Sequence, residues 1–93
     1  MDVVIGQVVY SKAGRDNGKC FIITGIINDC YVLISDGDLR RFENPKKKKI
    51  KHLVITENVI EALALKITTS SKVTNADIRK VLLEIKVPLE TNE

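Results

Sequence analysis

The sequence contains no tryptophan and only two tyrosines and two phenylalanines. This scarcity argues against a nucleic-acid interface that stacks several bases on aromatic rings. It also means that the hydrophobic core must be built mostly from valine, isoleucine and leucine. Hydrophobic residues make up 44% of the 93-residue chain and charged residues 29%, a composition typical of one small globular domain.

Cysteine and histidine are also scarce, with two cysteines and one histidine. Cys20 and Cys30 form no CxxC pair, and an expected turn at Asn28 and Asp29 places them badly for a disulfide, so we expect two buried thiols in a reducing cytoplasm. His52 has no partners at metal-ligand spacing, and the carboxylates are scattered among turns and helix starts. The sequence therefore predicts no catalytic residue, no metal site and no cofactor.

Long apolar runs are absent as well. No stretch approaches the roughly 18 residues that a membrane-spanning helix needs. The first residues show neither the positive segment nor the small-residue cleavage site of a signal peptide. Both observations predict a cytoplasmic protein without a membrane partner.

Positive charge is present but unevenly distributed. The formal net charge is +3. Residues 1–56 carry ten Lys/Arg and six Asp/Glu, a net charge of +4, whereas residues 57–93 carry five and six. The first part of the chain is therefore the part expected to contact an anionic polymer.

Two apolar, β-branched segments, residues 8–10 and 20–26, flank a polar loop and predict strands. The loop's glycines can adopt the positive φ that a tight connection needs. Successive backbone N–H groups in such a loop can form an anion-binding concavity, beside which three side chains supply positive charge. The candidate phosphate-binding residues of this loop are Gly14, Gly18, Lys12, Arg15 and Lys19.

The apolar pattern predicts five short strands in all, at residues 6–11, 19–26, 30–35, 39–42 and 53–55. Asp36 and Gly37 form a strong hairpin signal between the third and fourth strands. Arg40 and Arg41 would then point to opposite faces of the fourth strand. Five short strands joined by tight turns favour a small SH3-like barrel.

The chain changes character near Thr56, where the apolar residues take helical spacing and Thr56 itself is a candidate N-cap. A second helix follows a polar break, with Thr74 and Asp77 at the spacing of a capping box. Pro88 is expected to end that helix. We expect both helices to pack on the barrel, and a helical hairpin that binds a partner is the alternative.

Residues 6–26 resemble the KOW motif of ribosomal proteins and of the elongation factor NusG. Over residues 6–53 the chain is similar to small bacterial KOW-domain RNA-binding proteins related to eukaryotic-type large-subunit ribosomal proteins. The matching features are Gly18 as the motif glycine, residues 31–34, Asp36 with Gly37, Arg40 with Arg41, and residues 45–49 and 51–53. The resemblance implies an SH3-like barrel, contact of the first loop with RNA, and a helical C-terminal extension.

The lysine run is the strongest candidate for RNA contact, because five lysines occupy the six positions 46–51. Their mutual repulsion does not favour a compact fold, whereas an RNA backbone would be neutralised by them with release of counterions. The alternatives are a solvated connector, or contact with a membrane surface or an acidic protein. Ion pairs with Asp38 or Glu43 are the alternative for the two arginines. The predicted RNA-binding residues are Lys12, Arg15, Lys19, Arg40, Arg41, Lys46, Lys47, Lys48, Lys49, Lys51 and His52.

These observations predict a mainly β protein with a five-stranded SH3-like (KOW) barrel in residues 1–56, a two-helix extension in residues 57–88 packed on the barrel, and a disordered tail in residues 89–93. The expected function is non-enzymatic binding of structured ribosomal RNA, within the translation machinery, through a basic stripe on the barrel. The alternative is a protein-docking module in a transcription or translation complex. Both roles could hold together, with the barrel on RNA and the C-terminal helices on ribosomal or other translation proteins. Steep salt dependence would favour RNA.

Overall fold

The computed structural model describes residues 3–12 and 14–91, with side chains up to residue 85. Within that part of the chain, five strands form one antiparallel sheet and two helices follow it. The strands are β1 (Gln7–Ser11), β2 (Cys20–Ile26), β3 (Tyr31–Ser35), β4 (Lys46–Lys49) and β5 (Leu53–Val59). The helices are α1 (Glu61–Thr68) and α2 (Asn75–Thr91). Neither of these helices combines the length and the apolar character needed to cross a membrane.

The strand order in the sheet is β4-β3-β2-β1-β5, with every neighbouring pair antiparallel. The predicted mainly β fold with two C-terminal helices is therefore confirmed. Strands β4 and β5 are the two edges, so the sheet is not closed and a barrel is not confirmed. A 3₁₀ turn, Ile50–His52, joins these edges. So short a connection can span at most about 14 Å, and the sheet must curl strongly to bring the strand ends together.

Over most of their length, the central strands β1 and β2 are buried on both faces, which explains their continuous apolar runs. Val8 and Val9 are neighbours in β1 and point to opposite faces, and both are fully buried. The curled inner face holds a core of seven side chains: Val9, Phe21, Ile23, Val32, Ile34, Ile50 and Leu53. The outer face is covered by the helices through a second core: Val8, Cys20, Ile22, Leu63, Ile78 and Leu82.

The predicted fourth strand, residues 39–42, is wrong. Those residues belong to a loop between β3 and β4, and the lysine run forms the strand that pairs with β3. The Asp36 carboxylate accepts the backbone N–H groups of Asp38 and Arg40 at 2.9 and 3.0 Å. The Arg40 carbonyl in turn accepts the N–H groups of Asp36 and Gly37 at 2.9 and 3.1 Å. The chain therefore closes a compact loop at this point, and the two arginines do not lie on a strand.

The predicted N-cap at Thr56 is also wrong. Strand β5 pairs with β1 as far as Val59, opposite Gln7, and α1 begins only after Ile60. The Thr56 hydroxyl donates to the carbonyl of Val8 at 2.6 Å, so it is engaged within the sheet. Pairing with a distant strand has extended β5 through residues whose local spacing favours a helix.

The start of α2 follows the prediction, whereas its end does not. The Asp77 N–H donates to the Thr74 hydroxyl at 3.1 Å, and the Thr74 N–H donates to the Asp77 carboxylate at 3.2 Å. The capping box is therefore confirmed. The helix continues through Pro88 to Thr91. A proline removes one backbone donor from a helix, which weakens the helix without always ending it. The last residues of the predicted tail, 92–93, lie outside the described part.

Candidate nucleic-acid interface

The loop between β1 and β2 depends on its glycines. Gly14 and Gly18 have φ values of +74° and +87°, so the expected positive φ is confirmed. The N–H of Gly18 donates to the Ser11 carbonyl at 2.7 Å, and the N–H of Lys19 donates to the Asp16 carbonyl at 2.8 Å. Because these donors are used inside the loop, they cannot belong to the predicted anion-binding concavity. A phosphate at this loop would rely on side chains.

Positive side chains from three segments converge on Asp16. Lys46 Nζ of β4 lies 3.0 Å from Asp16 Oδ2, and Lys19 Nζ lies 3.9 Å from Asp16 Oδ1. Together with Arg15, Arg40 and Leu39, these residues line a depression of about 430 Å³. We call Arg15, Asp16, Lys19, Arg40 and Lys46 the Asp16 cluster. Four cations in it face one carboxylate, so it carries excess positive charge.

The electrostatics of the Asp16 cluster hold its carboxylate ionised. The hydrogen bond from Lys46 lowers the pKa of Asp16, and the charges of Lys46, Lys19 and Arg40 lower it further, against an opposing effect of burial. The Asp16 side chain is only 13% exposed. The ion pair with Lys46 thus ties the first loop to the edge strand and fixes the cations around it.

Strand β4 divides its lysines between two faces. Lys46 and Lys48 are half-buried, whereas Lys47 and Lys49 are exposed. Opposite them in β3 lies Tyr31, paired in register with Lys49. The Lys47 and Lys49 ammonium groups lie over the Tyr31 ring, 4.6 and 6.0 Å from its centroid. Such contacts favour these side-chain positions while leaving the charges accessible. We call Tyr31, Lys47 and Lys49 the Tyr31 cluster.

Four further predicted RNA-binding residues belong to neither cluster. They are Lys12, Arg41, Lys51 and His52. Lys51 is exposed and His52 half-buried on the 3₁₀ turn, and the N–H of Lys12 donates to the His52 carbonyl at 3.0 Å. The first loop therefore begins beside that turn. Arg41 instead forms an exposed ion pair with Glu43 at 3.8 Å. This ion pair is the alternative to RNA contact that the sequence analysis gave for Arg41.

Two residues of the candidate site were not found from the sequence, and one cysteine was misjudged. Asp16 was not among the predicted RNA-binding residues, although a lone carboxylate in a basic loop is a local hint. Tyr31 carried no local hint, because its contact with the lysines depends on the register between β3 and β4. Cys20 is buried as predicted, but Cys30 is exposed, since it lies in the β2–β3 turn. Its N–H donates there to the Asn28 side chain at 2.8 Å.

Among the described side chains, in residues 3–12 and 14–85, no group of three or more His, Cys, Asp or Glu is placed to hold a metal ion.

Comparison with known proteins gives one informative similarity. No protein-family model matches the chain, and the KOW resemblance stays a prediction. A relative from Bacillus subtilis (strain 168), named "Putative ribosome-binding protein YbzG", is 33% identical over 72 residues. The aligned region covers 77% of this chain and 97% of the relative.

Proposed function

Since the chain belongs to the family of YbzG, we propose that it binds the ribosome and that its basic surface contacts structured ribosomal RNA. The name of the relative describes ribosome binding, and the match spans nearly the whole of that relative. The contact with RNA is the finer part of the proposal. It rests on the charges that the fold gathers along one edge of the sheet.

The observation that carries the RNA contact is the continuity between the two clusters. Lys46 belongs to the Asp16 cluster, and Lys47 and Lys49 of the same strand belong to the Tyr31 cluster. Strand β4 is about 10 Å long between its first and last residues. Lys46 points to the opposite face of β4 from Lys47 and Lys49, but β4 is an edge of the sheet, so both clusters lie along this edge and form one basic stripe. Such a stripe suits the phosphates of a folded RNA better than a single small anion.

Protection of the sheet edge would explain the lysines of β4 but not the other positive side chains of this stripe. Lysines on an edge strand hinder pairing with another chain, and β4 is an edge. That role does not require cations from neighbouring loops, yet Arg15, Lys19 and Arg40 gather beside β4. The arrangement thus favours an anionic partner over edge protection alone.

We also propose that the curled sheet is an SH3-like KOW domain that acts without catalysis in the cytoplasm. The five antiparallel strands and the 3₁₀ turn between the last two support this assignment. Ribosome binding supports the cytoplasm as the place of action.

Sedimentation of ribosomes from cell lysate tests the proposed function. We expect the wild-type protein to migrate with the large subunit at low salt and to dissociate as salt is added. The variant Lys47→Ala/Lys49→Ala should bind more weakly, because it removes two exposed charges of the stripe. A matched control, Lys72→Ala/Lys80→Ala, removes two exposed charges elsewhere and should sediment like the wild type. If the wild type stays at the top of the gradient at low salt, ribosome binding is wrong.

A protein contact is the second candidate, and an exposed apolar feature favours it. Leu39 of the β3–β4 loop and Leu83 of α2 are 73% and 64% exposed. Both line a depression of about 290 Å³ between loop and helix. Binding through this surface would depend little on salt, and Leu39→Ser/Leu83→Ser would weaken it while leaving every charge of the basic stripe in place.

A further inference from the structure

A third depression, separate from the Asp16 cluster and from the depression beside α2, lies where the end of β4 meets the β2–β3 turn. Its volume is about 410 Å³, and it is lined by Asp29, Cys30, Tyr31, Lys49, Ile50 and Lys51. A thiol, an aromatic ring and an isoleucine side chain supply apolar surface, while two lysines and one carboxylate supply charge. Pockets that hold small ligands combine this range of volume with apolar surface and a few polar groups.

Hydrogen bonds fix the backbone around this pocket. The side-chain oxygen of Asn28 accepts the N–H groups of Cys30 and Tyr31 at 2.8 and 2.9 Å. The N–H of Ile50 donates to the Cys30 carbonyl at 2.8 Å. The turn and the end of β4 are thereby held together, and the pocket is formed before any ligand arrives.

We propose that this pocket holds one unpaired base of the bound RNA, an inference that rests on the proposed function. Proteins contact unstacked bases in loops and bulges, where aromatic side chains can stack on them. Tyr31 supplies one such ring, so a single base is accommodated although the chain is poor in aromatics. The flanking phosphates then contact Lys49 and Lys51.

The charged residues of the pocket give the base a preferred type. The carboxylate of Asp29 only accepts hydrogen bonds when ionised, so it suits a base edge that presents an amino group. Cytosine has that donor at N4, where uracil has a carbonyl oxygen. The two bases are similar in size and differ on this edge, where cytosine has an amino group and an unprotonated N3 and uracil has a carbonyl oxygen and an N3–H. A preference for cytosine would therefore report on the base edge that Asp29 contacts.

Binding of three synthetic RNA hairpins, followed by fluorescence anisotropy, tests this proposal. The hairpins share one stem and carry a bulged cytidine, a bulged uridine or no bulge. We expect the cytidine bulge to bind about tenfold more tightly than the paired stem, with the uridine bulge between them. Tyr31→Ala should remove the preference for the bulges, and Tyr31→Phe, which keeps the ring, should retain it.

Alkylation of Cys30 provides a second measurement that needs no substitution. Cys30 is exposed and lines the pocket, whereas Cys20 is buried, so iodoacetamide should modify Cys30 selectively. We expect bound ribosomes to slow this reaction several-fold. Equal affinity for the three hairpins, or an alkylation rate unchanged by bound ribosomes, overturns the pocket assignment while ribosome binding stands. A wild-type protein that fails to sediment with ribosomes overturns the proposed function itself.

Discussion

Asp16 links the first loop to β4 through its 3.0 Å contact with Lys46. The hydrogen bond from Lys46 lowers the pKa of Asp16 below its usual value of 3.8. A carboxyl group with a lowered pKa in the folded protein stabilises the fold when it is ionised. That contribution is complete above the pKa of the unfolded chain and is lost as the pH falls through the pKa of the folded protein.

Substitution of Asp16 tests this link. We expect Asp16→Asn to lower the free energy of unfolding by about 1 kcal/mol at pH 7, because a partly exposed charged hydrogen bond is lost. The difference from the wild type should shrink as the pH falls below 3.8. Urea denaturation at pH 7 and at successively lower pH measures both quantities. Asp38→Asn, at an exposed position, is the control for the change in net charge. A deficit that is independent of pH would contradict the assigned ion pair.

Asn75 has a comparable role between the β3–β4 loop and α2. It is only 8% exposed, and its side-chain oxygen accepts the N–H of Phe42 at 2.6 Å. Its amide nitrogen donates to the Glu43 carboxylate at 2.9 Å and thereby lowers the pKa of Glu43. The Asn75 amide therefore provides a hydrogen-bond acceptor for a backbone N–H of the loop and holds the Glu43 carboxylate in place.

Removal of that amide should be costly. We expect Asn75→Ala to lower the free energy of unfolding by about 2 kcal/mol, since the N–H of Phe42 loses its partner in a partly buried site. The exposed Asn44 of the same loop offers a matched control, and Asn44→Ala should change stability by less than about 0.5 kcal/mol. Urea denaturation of both variants measures the two changes in the free energy of unfolding. Equal losses would show that the Asn75 contacts contribute little.

At the scale of elements, the β3–β4 loop is docked on α2 by close backbone approach. The Arg79 side chain donates to the Gly37 carbonyl at 2.5 Å. A Cβ atom added at Gly37 would clash with the carbonyl oxygen of Asn75. Gly37 also has a φ of +79°, so this position excludes other residues on two grounds.

Gly18 provides the comparison that separates those two grounds. It has a φ of +87°, but an added Cβ would meet no atom within 4 Å. We expect Gly18→Ala to cost about 1 kcal/mol from backbone strain alone. Gly37→Ala should cost at least about 2 kcal/mol more, because the loop must also move away from α2. Thermal and urea unfolding of the two variants test this difference. Similar losses would mean that the loop is not tightly docked.

The elements that the sequence predicts well are those with local apolar patterns. Strands β1, β2 and β3 begin and end within one residue of the predictions. Strand β4 consists of four lysines and has no apolar alternation, so only its pairing with β3 makes it a strand. The hairpin predicted at Asp36 and Gly37 failed because the Asp36 side chain closes a longer loop. Strand propensity and residue spacing do not reveal pairing with another strand or a loop closed by a side chain.

At the scale of the whole molecule, the sequence identified the cations but not their grouping. Lys46 and Asp16 are thirty positions apart and meet only because β4 and the first loop lie at one end of the sheet. Arg40 reaches the same cluster through the loop that the sequence had assigned to a strand. Arg41, its neighbour in the chain, turns instead toward Glu43. Adjacent residues of one type thus differ in role because of the fold.

This grouping makes the salt dependence of ribosome binding a test of the entire stripe. Each phosphate contact lowers the logarithm of the binding constant by about 0.7 to 0.9 per tenfold rise in salt. We therefore expect Lys47→Ala/Lys49→Ala to reduce the slope by about 1.5, measured as the affinity for purified large subunits across a potassium chloride series. Lys72→Ala/Lys80→Ala removes equal charge from the α1–α2 connection and α2 and should leave the slope unchanged. Equal reductions in both variants would mean that net charge, and not the stripe along β4, governs binding.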